Sequence, residues 1–159
     1  MTKAIELRPV EPGDREFLLR VYASTRAEEL AAVPWDDAQK DAFLRSQFDA
    51  QDAWWREHYA GASFDVVLVD GEAAGRLYVH RGPSEIRIVD IALLPEHRGS
   101  GVGTSLLRDL LAEADASGKS VTIHVERMNL ALRLYERLGF AVAEDKGVYL
   151  FLERPPRST

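Results

Sequence analysis

Residues Asp90 to Leu111 read DIALLPEHRGSGVGTSLLRDLL and carry the densest chemistry in the chain. An apolar run, Ile91 to Leu94, ends at Pro95. A basic, glycine-rich turn follows, Arg98-Gly-Ser-Gly-Val-Gly103, and Thr104 opens an amphipathic helix with Leu at 106, 107, 110 and 111. A strand, a loop of backbone N–H groups and a helix N-terminus together make an anion site. The helix dipole favours negative charge there, and glycines let phosphate oxygens approach the backbone. Two phosphate chemistries fail on the residues. A Walker A loop needs Lys and then Ser or Thr after its last glycine, whereas Gly103 is followed by Thr104-Ser105. A dinucleotide fingerprint starting at Gly99 puts Thr104 where the third glycine belongs. Pro95 to Arg98 also separate strand from turn, where a Rossmann unit turns at once.

The elements that must position this loop are legible from periodicity. Ala4 to Val10 alternates as a short strand with Pro9 near its end. Asp14 is a plausible N-cap for a helix whose apolar face holds Phe17, Leu18, Val21 and Tyr22. Asp36 and Gln39 have capping-box spacing, which predicts a long helix to about Tyr59, closed by Gly61. Strands are expected over 64–69, 73–80 and 85–93, the first two joined by Asp70-Gly71. The helix after the glycine loop runs to about Ser117, with Gly118 as its C′ residue. A strand over 121–125 puts Val121, Ile123 and Val125 on one face and Thr122, His124 and Glu126 on the other. Asn129 then starts a short helix with Leu130, Leu134 and Leu138, and strands 140–143 and 148–152 end the pattern. The result is an α+β fold, a mixed sheet of about seven strands with helices on both faces.

The length of 159 residues suits one domain, expected over 1–153, with 154–159 a frayed tail. The net charge of −6 argues against a nucleic-acid partner, which needs a basic face. Absence of Cys excludes thiolate nucleophiles and Cys-based zinc sites, and the His at 58, 80, 97 and 124 lack metal-ligand spacing. No metal is therefore expected. The N-terminus lacks a signal-peptide core, and no apolar run approaches the ~18 residues of a membrane span. These features predict a cytoplasmic protein with no membrane partner.

Arg98-x-x-Gly101-x-Gly103, preceded by an apolar strand and Pro95, resembles the acetyl-CoA pyrophosphate loop of the GNAT N-acetyltransferase superfamily. Met128-Asn-Leu-Ala-Leu-Arg-Leu-Tyr-Glu-Arg-Leu-Gly-Phe140 is similar to that superfamily's later segment, N-x-A-x-x-L-Y-x-x-x-G-F in form. One departure stands out. Some members place Asn seven residues before the Tyr, whereas Asn129 is six before Tyr135.

The resemblance implies a sheet splayed between strands 85–94 and 121–125. It implies that Arg98, Gly99, Ser100, Gly101, Val102, Gly103 and Thr104 hold the pyrophosphate of acetyl-CoA as co-substrate, with Asn129 a further contact. The pantetheine arm would pair with backbone at Ile91, Ala92 and Leu93, and the Leu93 N–H would face the thioester oxygen. Tyr135 would protonate the leaving sulfur as general acid. The base has several candidates: Glu85 and Asp90 on the strand before the loop, His124 and Glu126 on the strand after it, or a water relay. His124 has an ordinary pKa near ~6.5, while Asp90 lies in an apolar run that would raise its own. Trp35, Trp54, Trp55 and Tyr59 are candidates to wall an amine site, or core and interface aromatics. The implied reaction is direct attack of a primary amine, of a small molecule or peptide, on acetyl-CoA in a ternary complex, by a monomer or homodimer. Alternatives are a non-catalytic acyl-CoA-binding or sensory module, and an acyltransferase using another acyl-CoA.

Overall fold

The computed structural model describes Lys3 to Ser158; Met1, Thr2 and Thr159, which the expected domain limits include, lie outside the described residues. Seven strands and four helices follow the expected order. They are β1 (Ile5–Pro9), α1 (Arg15–Ala31), α2 (Asp37–His58), β2 (Ser63–Val69), β3 (Glu72–Arg81), β4 (Glu85–Leu93), α3 (Val102–Ser117), β5 (Ser120–Glu126), α4 (Leu132–Arg137), β6 (Ala141–Asp145) and β7 (Tyr149–Arg154). Strand order in the sheet is β1-β2-β3-β4-β5-β7-β6. The β4–β5 pair is parallel, whereas β1–β2, β5–β7 and β6–β7 are antiparallel, so the sheet is mixed. The chain divides into two compact units, Met1–Leu77 with Ile91–Arg98, and Tyr78–Asp90 with Gly99–Thr159.

In the first unit, α1 and α2 pack through Leu18, Leu19, Tyr22 and Phe48. The predicted capping box starts α2: Gln39 N–H donates to Asp36 Oδ1 at 2.8 Å, and Asp36 N–H donates to Gln39 Oε1 at 3.0 Å. Asp14 occupies the N-cap position of α1, but its carboxylate does not cap that helix. It accepts the Arg8 fork at 2.8 Å on each oxygen and the Glu11 N–H at 2.7 Å. A buried carboxylate takes the strongest donors within reach, and a guanidinium outbids an orphan helix amide. Asp70 (φ 50°) and Gly71 (φ 82°) make the predicted tight turn between β2 and β3.

In the second unit, α3 packs on β5. Its buried face is Val102, Leu106, Leu107, Leu110, Leu111 and Ala114, and Val121, Ile123 and Val125 of β5 are buried as the alternation predicts. Gly118 closes α3 in the left-handed region. The short helix starts later than the sequence suggests. Asn129 Oδ1 accepts the Ala131 N–H at 2.8 Å in a local turn, and α4 begins only at Leu132. Leu130 therefore lies outside the helix and is 98% exposed, while Tyr135 is the buried residue of α4. Asn favours such side-chain turns over helix interiors. Arg154, expected in the tail, is instead the buried last residue of β7.

Candidate active site

The parallel ladder between β4 and β5 runs through Glu85↔Ser120, Ile86↔Val121, Arg87↔Thr122 and Ile88↔Ile123, and ends there. Both strands continue, β4 through Val89 and Asp90 and β5 through His124, Val125 and Glu126. Strand edges that carry on without a ladder between them leave backbone donors and acceptors facing an opening, to be satisfied by water or a ligand. This is the expected splay. Alternation puts Ile86, Ile88 and Asp90 on one face of β4, and Glu85 and Arg87 on the other.

At the N-terminus of α3 the first intrahelical bond is donated by Ser105 to the Gly101 carbonyl. The amides of the first turn, Gly101 through Thr104, therefore project from the helix end without intrahelical acceptors. Gly99 (φ 71°) and Gly101 (φ 88°) hold the left-handed region, and a Cβ built on either meets nothing within 4 Å. Small residues, open space and converging amides suit the oxygens of a pyrophosphate. Arg98 belongs to the unit Met1–Leu77 with Ile91–Arg98. There Arg98 donates through Nε to the Leu93 carbonyl (2.9 Å) and through Nη2 to Ser24 Oγ (3.1 Å). Leu94 N–H donates to the Ala74 carbonyl at 2.8 Å, which ties the end of β4 to β3.

Tyr135 and Asp90 form one electrostatic pair. Burial first, and the negative charge of Asp90 second, push the Tyr135 phenol up to about 12. Its ring packs edge-on against Phe140, with centroids 5.5 Å apart.

Glu85 and His124 belong to a different cluster, on the other face of β4 and β5. Arg87 Nε donates to Thr122 Oγ1 at 2.7 Å, and Thr122 Oγ1 donates to Glu85 Oε2 at 3.0 Å. Glu85 is thus held as part of a network. His124 stacks obliquely on Phe151 at 4.9 Å, and Lys146 Nζ lies 3.3 Å from its Nε2. Desolvation, then the positive charges of Arg87 and Lys146, lower the His124 pKa from its ordinary 6.5, against the opposing charges of Glu144 and Glu85. Sequence spacing gives no sign of Lys146 and Phe151 as site residues: Phe151 meets His124 through the β5–β7 register, and Lys146 through the turn between β6 and β7.

The candidate aromatics all lie in the unit Met1–Leu77 with Ile91–Arg98 and differ in burial. Trp55 is buried under the Arg76 guanidinium, 5.2 Å from its ring centre. Trp35 and Trp54 are exposed; Trp54 stacks on His58 at 4.0 Å, and Trp35 meets Phe43 edge-on at 5.4 Å. Among the described residues, no three His, Cys, Asp or Glu side chains gather as a metal site, and no helix is long and apolar enough to cross a membrane.

Comparison with known proteins agrees with this geometry. The profile of the Acetyltransferase (GNAT) family matches residues 25–140. The N-alpha-acetyltransferase RimI of Mycobacterium tuberculosis is 32% identical over 131 residues, covering 74% of this chain and 81% of that protein. The mycothiol acetyltransferase of Nocardiopsis dassonvillei is 36% identical over 106 residues, covering 65% of this chain but only 26% of that longer protein. The PaiA N-acetyltransferase of Thermoplasma acidophilum, solved in complex with coenzyme A, has the same fold, with a TM-score of 0.71 at 18% identity over 96% of this chain and 99% of that one. With its mixed seven-stranded sheet, its interrupted β4–β5 ladder and a family match over residues 25–140, the chain belongs to the GNAT acetyltransferase family.

Proposed function

We propose that the protein transfers the acetyl group of acetyl-CoA to a primary amine by direct attack in a ternary complex. The observation that carries this reading is the ladder that stops at Ile88↔Ile123 while both strands run on. It leaves peptide groups where an extended pantetheine arm can pair. The Gly99 to Thr104 amides hold the pyrophosphate, and Ile91, Ala92 and Leu93 supply the backbone for the arm, with the Leu93 N–H on the thioester oxygen. The Asn129 side-chain oxygen already accepts the Ala131 N–H, so a cofactor contact there falls to its Nδ2 donors.

Tyr135 is the acid. A phenol at about 12 stays protonated throughout the neutral range. Transfer to a free thiolate, whose acid is near ~8.5, is uphill by roughly 5 kcal/mol. The desolvation that raises the phenol raises a neighbouring thiol as well, so the gap narrows in the site. Tyr135 therefore donates a hydrogen bond as charge builds on sulfur and releases its proton late. Burial, and then the negative charge of Asp90, keep the phenol neutral until then. His124 is the base. Its lowered pKa leaves it neutral at pH 7, it is exposed, and it is the first β5 residue past the last paired position. Glu85 is a network residue, held by Thr122 and Arg87. The Mycobacterium relative is named an N-alpha-acetyltransferase, which makes α-amino groups, those of peptides among them, a substrate class to include.

CoA release measured with a panel of small-molecule and peptide amines tests the reading. Turnover with at least one amine is expected, together with thermal stabilisation by acetyl-CoA and CoA but not by NAD. A ligand at 100 times its Kd adds about 2.7 kcal/mol, a readily measured shift. Stabilisation by CoA without turnover on any amine would favour the non-catalytic binding module. Turnover with another acyl-CoA in preference to acetyl-CoA would move the donor assignment. In Tyr135→Phe, kcat is expected to fall at least about tenfold with acetyl-CoA affinity kept, as general acid catalysis contributes up to ~10⁴-fold.

A further inference from the structure

The helix that carries Tyr135 is only six residues long, and Ala131 at its N-cap position gives no side-chain bond. Nucleating so short a helix is uphill, so its position must come from tertiary contacts. The buried Tyr135 ring is one of them, and a second set lies at its C-terminal end. The Tyr135 carbonyl accepts the N–H groups of Leu138 (3.1 Å) and Phe140 (3.0 Å). The Leu138 carbonyl accepts Arg154 Nε at 3.2 Å.

The same guanidinium makes a two-pronged bond to Asp115 on α3, Nη1 to Oδ1 at 2.7 Å and Nη2 to Oδ2 at 3.1 Å. The Arg157 backbone N–H donates to Asp115 Oδ1 at 2.9 Å. Gly139, at φ 101°, closes the turn after α4, and a Cβ there would run into the Arg157 guanidinium. The pair is enclosed, with side-chain exposures of 5% for Arg154 and 15% for Asp115. Buried ion pairs add little net stability against well-packed apolar residues, but their directional bonds fix geometry. Here one rigid fork joins α3 to the residue three positions after Tyr135. All these groups lie within the unit Tyr78–Asp90 with Gly99–Thr159.

We propose that Arg154, oriented by Asp115, is a positioning residue for Tyr135. It locks the C-terminal end of α4 to α3, the helix whose N-terminal amides hold the pyrophosphate, and so sets the phenol relative to the bound thioester. This inference rests on the assignment of Tyr135 as the acid.

A double-mutant cycle tests it by CoA release, using wild type, Arg154→Lys, Tyr135→Phe and the two combined. Lys carries the charge but cannot fork to Asp115 while bonding the Leu138 carbonyl. Arg154→Lys is expected to lower kcat at least about fivefold with the acetyl-CoA KM within about twofold, the pattern of a lost transition-state interaction. In the Tyr135→Phe background the same change is expected to alter kcat by less than about twofold, because residues acting through one another are not additive. If Arg154→Lys does not fold, Asp115→Leu with Arg154→Met replaces it; that pair removes both charges and leaves none buried alone. Its kcat loss must likewise vanish in the Tyr135→Phe background. An equal loss in both backgrounds overturns the positioning role and leaves the Tyr135 assignment standing. An unchanged kcat in Tyr135→Phe alone overturns the acid assignment, and this inference with it.

Discussion

The Arg98 guanidinium reaches back to the end of β4 and donates through Nε to the Leu93 carbonyl at 2.9 Å. Its Nη2 donates to Ser24 Oγ at 3.1 Å. Arg98 thus braces the strand end whose backbone we propose pairs with the pantetheine arm. Lys at this position has the charge but not the planar fork. In Arg98→Lys, loss of about 1 kcal/mol of net hydrogen bonding corresponds to a several-fold rise in the acetyl-CoA KM. Steady-state kinetics should show that rise with kcat within about twofold. A fall in kcat alone would place Arg98 in the chemical step instead.

Gly75 allows β3 to approach the same strand end. A Cβ at Gly75 would clash with the Ala92 carbonyl oxygen and would come within 2.9 Å of Leu93 Cα. Backbone cannot swing aside as a long side chain can. Gly75→Ala is expected to destabilise the protein by about 1–3 kcal/mol, the usual cost of overpacking. Urea unfolding measures that cost. Because Ala92 and Leu93 must shift, the thermal stabilisation by acetyl-CoA should shrink as well. A variant with wild-type stability and an unchanged acetyl-CoA response would show that this approach does not matter to the site.

His124 carries a lowered pKa, caused by desolvation and then by Arg87 and Lys146. Its titration, followed by NMR of the ring protons, should lie below 6.5, and Lys146→Gln should move it upward by removing a positive charge. The sign for stability follows from proton uptake. Below pH 6.5 the unfolded chain binds this proton before the native one, so His124's contribution is lost as pH falls. The acid limb of kcat/KM should follow the NMR value in both proteins if His124 is the base. A limb that stays in place when Lys146→Gln shifts the ring would assign the base elsewhere, with Asp90 and Glu126 next in order.

Tyr135 makes the opposite prediction at high pH. Its phenol is raised from 10.0 to about 12. Between those values the unfolded chain has lost the proton and the native one keeps it, so stability falls as pH rises. The loss approaches roughly 2–3 kcal/mol for a two-unit shift. Urea midpoints between pH 10 and 12 should decline more steeply in wild type than in Tyr135→Phe. Equal slopes would mean that the phenol titrates near its ordinary value.

Local rules in the chain determined the elements and the glycine loop proposed to bind the donor. The Asp36–Gln39 box, the Asp70-Gly71 turn and the end of α3 at Gly118 depend on near neighbours, and each appears where the spacing predicts. The glycine loop is local too, since it needs only a strand, small residues and a helix start. Tertiary structure decided what distant residues do to one another. Asp90 and Tyr135 lie 45 positions apart, and only the fold buries the phenol and sets the Asp90 charge against it. The β5–β7 register put Phe151 against His124, and the turn between β6 and β7 added Lys146. Enclosure let Arg154, expected to fray, bond Asp115 and the Leu138 carbonyl. Alternation and capping act over a few residues and are legible in one dimension. Desolvation, charge coupling and guanidinium forks act through space, and their partners are chosen only when the sheet is assembled.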